Sequence, residues 1–138
     1  ESLVDNNYIY IWDFKNILVR ELNLKLTFIC QLSTNDFIMR IAALDKKSMI
    51  PVCEGIVIRT MPCNEIMSYI SKKIQIRDNR ICIYNTWGCE LLTINLNRLI
   101  DGHLIIDYSE SPYPDNQDAT DTFKELQAAL RYDNYDFI

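Results

Sequence analysis

The apolar positions of this chain repeat with two different periods, and the switches between them divide it into elements. Residues 12–22 carry Phe14, Leu18 and Leu22 four apart, with Ile17 beside them. That stripe predicts an amphipathic helix. Residues 25–31 alternate instead, with Leu26, Phe28 and Cys30 on one face and Thr27, Ile29 and Gln31 on the other, which predicts a strand. Ser33, Thr34, Asn35 and Asp36 form a turn, and 37–44 is a second strand, so 25–44 reads as a hairpin. Residues 45–48 break it. The stretch 49–54 contains Pro51, which has no N–H to give a ladder and is barred from an internal strand. Gly55 then opens an apolar strand over 56–60.

The order recurs. Ile66, Ile70 and Ile74 predict a helix over 63–74, followed by a strand at 80–85, a turn at 86–88 and a strand at 89–94. Residues 95–100 are a short loop or a single helical turn, and Asp101-Gly102 opens a strand over 103–108. Phe14, Leu18, Leu22 and Leu24 correspond to Ile66, Ile70, Ile74 and Ile76 at a constant offset of 52, and Glu54-Gly55 corresponds to Asp101-Gly102. This is an internal repeat of low identity. Residues 109–121 form an acidic, Pro-containing linker. Thr122 and Glu125 fit a capping box, and Phe123, Leu126 and Leu130 predict a short amphipathic helix. The helix and the acidic-aromatic tail make up 122–138.

A helix, a hairpin, an irregular segment and a last strand are the second half of a β-grasp. The expected fold is therefore α+β, of ubiquitin-like (β-grasp) type. It has a mixed sheet with a packed helix, in one copy or in two tandem or strand-sharing copies, plus a C-terminal helix. Residues 1–60 form the first helix-hairpin unit. Residues 61–108 form the second, which completes a β-grasp with 36–60.

Residues 13–58 resemble the DIX domains of Dishevelled and Axin. Asp13-Phe14-Lys15-Asn16-Ile17-Leu18 is similar to the family's helix, Asp36-Phe37 to the opening of its fourth strand, and Ile50-Pro51-Val52 with Glu54-Gly55-Ile56-Val57 to its ending. The family's first strand is absent, and Cys53 stands where an aromatic is usual. The second half is similar to Ras-binding domains and to the ubiquitin-like domain of Polycomb RING proteins. The DIX resemblance implies head-to-tail assembly through β-edges. The head edge would be 8–11, with Tyr8 and Tyr10. The tail edge would be 36–41, with Phe37, Met39 and Arg40. The C-terminal helix, through Phe123, Leu126 and Leu130, either caps its own sheet or docks on a partner.

Composition narrows the function. Of 138 residues, 49% are apolar or aromatic, enough for a packed core. No apolar run approaches the roughly 18 residues of a membrane span. The chain begins without Met, as an excised fragment would. Residues 1–108 hold 12 acidic and 12 basic side chains, so the net charge of −5 lies in 109–138, where seven acidic residues face Lys124 and Arg131. A neutral body with an acidic tail is a poor match for phosphate-backbone binding. The basic doublets Lys46-Lys47 and Lys72-Lys73 read as solvated turn and helix-end lysines. Five cysteines without a C-x-x-C pair read as buried thiols of an intracellular protein, cytoplasmic or nuclear. There is one histidine, His103, and three isolated glycines, so neither a nucleophilic triad nor a phosphate-cradling loop is built. The expectation is a non-enzymatic protein-interaction module that binds proteins, itself included. It needs no cofactor or metal and takes no nucleic acid, membrane or small-molecule substrate. The alternatives are a small-GTPase effector, for which only Arg59 is suitably placed, a ubiquitin-like subunit of a chromatin complex, and a small cysteine enzyme.

Overall fold

A computed structural model describes residues 9–62 and 64–131. It holds two four-stranded antiparallel sheets in simple meander order. The first contains β1 (Tyr10–Val19), β2 (Leu24–Leu32), β3 (Phe37–Asp45) and β4 (Pro51–Thr60). A single helical turn, α1 (Asn64–Ser68), leads to the second sheet, β5 (Ile70–Arg77), β6 (Arg80–Asn85), β7 (Glu90–Asn95) and β8 (Ile106–Tyr108). The short helix α2 (Leu96–Ile100) lies between β7 and β8, and α3 (Gln117–Ala129) ends the described chain.

The strands follow from period-two patterning. Leu24, Leu26, Phe28 and Cys30 of β2 are buried on one face, and Leu26, Phe28 and Cys30 pair with Ala43, Ile41 and Met39 of β3. The second sheet supplies Ile83, Leu92 and Ile94 to the same core cluster, joined by Leu99 of α2 and by Phe123 and Leu130 of the C-terminal segment. Both sheets thus bury one face in a shared interior. Pro51 sits at the first position of the edge strand β4, where its missing N–H costs no ladder bond. A tight turn joins β5 to β6. Asp78 and Asn79 take φ of 53° and 60° between β5 and β6, as a two-residue turn matched to strand twist requires.

Gly55 on β4 faces Leu104 in the segment before β8. A Cβ there would overlap Leu104, so this position favours a residue without one. The main-chain N–H of Arg59 donates to the Leu130 carbonyl at 3.1 Å, which ties the end of α3 to the first sheet. The second tie is Gln127, buried to 5% exposure. Its amide nitrogen donates to the carbonyls of Leu91 (2.8 Å) and Ser109 (2.7 Å).

Several expectations are corrected. The helix expected over 12–22 is strand β1 with a 3-10 turn at Arg20–Leu22. The one expected over 63–74 is α1 followed by β5. A spacing of four puts residues on one face in a strand as well as in a helix, so Ile70 and Ile74 are both buried from β5. In β1 a bulge between Asp13 and Lys15 shifts the phase by one residue. Trp12 pairs with Cys30 ahead of it, whereas Ile17 and Val19 pair with Leu26 and Leu24 after it. The motif of the DIX-like helix, Asp13 to Leu18, is therefore strand. The sheets are antiparallel throughout rather than mixed, and their meander order does not follow the hairpin-helix-hairpin order of a β-grasp. The chain forms two four-strand meanders rather than two helix-hairpin copies, and the offset of 52 does not hold: Leu24 opens β2, while Ile76 lies in β5. The expected linker 109–121 contains the first turn of α3. Asn116 caps that helix by accepting from Ala119 N–H at 3.0 Å, and Thr122 bonds back to the Asp118 carbonyl instead of forming a capping box.

Replacing Gln127 with Leu removes both of its donated bonds and leaves the Ser109 carbonyl short of a partner. The expected loss is about 1–3 kcal/mol of folding stability in urea titration. Lys124→Ala, on the exposed side of the same helix, stays within about 0.5 kcal/mol of the parent.

Candidate interaction surfaces

The first surface is the start of β1. Among the described residues this strand pairs with β2 alone within its sheet, so its outer side is a sheet edge there. Ile9, Tyr10, Ile11 and Trp12 are all exposed, Ile11 at 65%. Trp12 and Tyr10 lie on the inner face opposite Cys30 and Leu32, and the Trp12 ring rests 6.2 Å from that of Phe37. Ile11, opposite Gln31, points to the outer face. The bulge and Lys15 follow at once, two devices that blunt an edge. They leave residues 10–13 as its flat part.

The expected tail edge is not an edge. β3 is laddered to β2 on one side and β4 on the other. Phe37 and Met39 are buried, Met39 completely. Arg40 is exposed, but its backbone lies between Ile29 and Ile56. Tyr8 falls outside the described residues. Phe123 and Leu130 are core residues and Leu126 is half-buried, so the C-terminal helix caps its own sheets. Arg59 holds Asp36 at 3.3 Å, which ties it to the turn before β3.

The second surface was not visible in the sequence. A cavity of about 380 Å³ opens between α3 and the β6–β7 turn. Four rings line it, those of Tyr69, Trp87, Tyr113 and Phe123, with Thr122 and Leu126 from α3. Hydrogen bonds hold the segments that carry Tyr69, Trp87 and Tyr113. Thr86 N–H donates to the Tyr69 carbonyl at 2.9 Å, which brings the Tyr69 and Trp87 rings to 5.1 Å at 40°. The Asn85 side-chain oxygen accepts from the N–H groups of Trp87 (2.9 Å) and Cys89 (2.8 Å), and Gly88 takes the positive φ the turn needs. Thr120 donates to the Tyr113 carbonyl at 2.6 Å, and the Tyr113 hydroxyl lies 3.6 Å from Cys89 Sγ. That thiol contact pushes the Tyr113 phenol up from its ordinary value. The sequence marked 86–88 only as a turn, and nothing in the spacing of 69, 87, 113 and 123 announces that they meet.

Among the described cysteines, Cys30, Cys53 and Cys82 are buried and Cys89 is half-buried. Burial pushes Cys30 up to about 12 and also raises Cys53 and Cys82, where Glu90 adds to the effect on Cys82. A thiol held protonated is a poor nucleophile. Among the described residues no three His, Cys, Asp or Glu side chains converge as a metal site, and no helix is long and apolar enough to cross a membrane. His103 is exposed in the loop before β8. No family model matches the chain, and neither the curated proteins nor the solved structures give a match.

The raised thiol values set a pH dependence. The folded state holds the Cys30 proton more tightly than the unfolded chain, whose thiol titrates near the model-peptide range of about 8.5–9. The stabilisation is fully present below that value and is lost as pH rises towards 12. Denaturation midpoints measured from pH 8 upward are expected to fall, and Cys30→Val flattens part of that slope.

Proposed function

We propose that the chain is a non-enzymatic protein-interaction module that self-associates by adding the β1 edge of a second copy to its own. The observation that carries this is the pair of exposed apolar side chains Ile11 and Trp12 on the flat beginning of an edge strand, with exposed Ile9 just before it. An open edge offers main-chain hydrogen bonds, and apolar side chains on both of its faces add burial to them. Pairing the same edge across a two-fold axis gives an isologous contact that closes at the dimer. Strand addition needs only an open edge, which β-grasp and meander sheets both have. The head edge implied by the DIX resemblance, 8–11, overlaps this strand. Its tail counterpart on β3 is enclosed, which favours like-with-like pairing over head-to-tail fibres.

Three further observations support the reading. The described thiols are free and those of Cys30, Cys53 and Cys82 are raised, which argues against cysteine catalysis and fits a reducing, intracellular compartment. The acidic balance of residues 109–138 argues against nucleic acid as the partner. Arg59, the residue a GTPase-effector role would use, is engaged by Asp36.

The molar mass in solution, followed through a dilution series, tests the proposal. The parent is expected to move from dimer to monomer on dilution. Ile11→Lys, at a side chain too exposed to matter for folding, is expected to weaken the dimer roughly tenfold or more. A parent that stays monomeric throughout, or a variant that dimerises as the parent does, overturns it.

A further inference from the structure

The aromatic cavity lies apart from β1 and plays no part in strand addition. Its chemistry is distinctive. Tyr69, Trp87, Tyr113 and Phe123 bring four π-systems to one opening of about 380 Å³, and Trp87 is 67% exposed. A buried core does not leave a tryptophan in that state, and a ring face in contact with water is available to a ligand. The fixed turn and the bonds at Tyr69 and Tyr113 set the positions of these segments before anything binds.

Two carboxylates of α3 stand beside the opening's lining residues. On α3, Asp118 precedes the lining residue Thr122 by four positions and Glu125 follows it by three, so both border that side of the groove. Both are exposed. Asp121 stands on the same helix, where it accepts from Gln117 at 2.8 Å. None of these carboxylates lines the wall. A ligand inside therefore meets ring faces rather than an ion-pair partner, under a negative field from the rim. Rings in this chain already receive cations elsewhere: Lys73 Nζ lies 4.9 Å from the Tyr84 centroid and Arg131 4.0 Å from that of Tyr108.

We propose that this cavity binds an alkylated ammonium head group. A strongly hydrated ammonium would have to leave its water with no carboxylate to replace it. A quaternary ammonium is weakly hydrated, carries a permanent charge and presents methyl groups to several ring faces at once, which is the condition under which cation–π attraction is strongest. The acidic rim attracts the same charge at longer range, and the neutral Tyr113 phenol adds no competing group.

The Trp87 indole resonance of the whole isotopically labelled chain reads out binding. Tetramethylammonium and choline are expected to shift it saturably. The neutral isostere 3,3-dimethylbutan-1-ol, which has choline's shape without its charge, is expected to bind at least roughly tenfold more weakly. A peptide carrying trimethyllysine forms a parallel arm. Tighter binding of the peptide identifies a modified protein as the source, and tighter binding of choline identifies a free small molecule. Trp87→Ala, at an exposed position, is expected to keep the fold and to weaken the choline shift at Tyr113 roughly tenfold. Asp118→Asn with Glu125→Gln is expected to weaken binding chiefly at low salt. Equal binding of the neutral isostere, an unweakened Trp87→Ala, or no response to any ammonium overturns the proposal.

Discussion

A four-stranded meander with Phe28, Met39 and Ile41 on one face cannot leave that face in water. Neither can one that carries Ile83, Leu92 and Ile94. The mutual burial of these two faces is the constraint on which everything else depends. It fixes which residues of each strand must be apolar. It also requires close approach where the sheets meet, seen at Gly55 against Leu104. The C-terminal helix is then a cap on an interior that already exists. Gln127 gives it one register by reaching the Leu91 and Ser109 carbonyls, because a buried amide that has found two acceptors is costly to slide to any other.

The same constraint decides what could be read in advance. Four strands, 25–31, 37–44, 80–85 and 89–94, were legible almost to the residue, because each is short, alternating and bounded by turn-forming side chains. Residues 95–100, read as a short loop or a single helical turn, hold a helical turn, and the C-terminal helix was legible too. Segments 12–22 and 63–74 were misread for one shared reason. Apolar residues four apart satisfy both periods, and only the pairing of the strand with its neighbour separates them. In β1 the bulge concealed the alternation further, by moving the inward face from Trp12 to Ile17 and Val19. The structure is α+β as expected; the finer β-grasp expectation rested on those two helices and is not confirmed.

Neither surface was legible in full, and the reasons differ. Part of the β1 edge was anticipated through Tyr10, whereas Met39 was placed on an edge because an exposed strand and a doubly laddered one share the same alternation. Edge status belongs to the sheet order, which one strand does not encode. The aromatic cavity was missed entirely. Its four rings come from the end of α1, a hairpin turn, the loop before α3 and α3 itself, and only the tertiary structure brings them together.

The charge asymmetry gains a meaning it lacked in the sequence. An acidic C-terminal segment on a neutral body reads, on its own, as solubility. Folding lays the helical part of that segment beside the ring-lined opening, with Asp118 and Glu125 on the rim and Phe123 and Leu126 facing inward. A carboxylate placed among the rings would have to be desolvated whenever the site was empty, and burial would push it towards its neutral form. On the rim it stays hydrated and charged while its field still reaches the opening. The separation of apolar wall from charged border therefore follows from solvation, and it gives a weakly hydrated cation both a surface to lie on and a reason to approach.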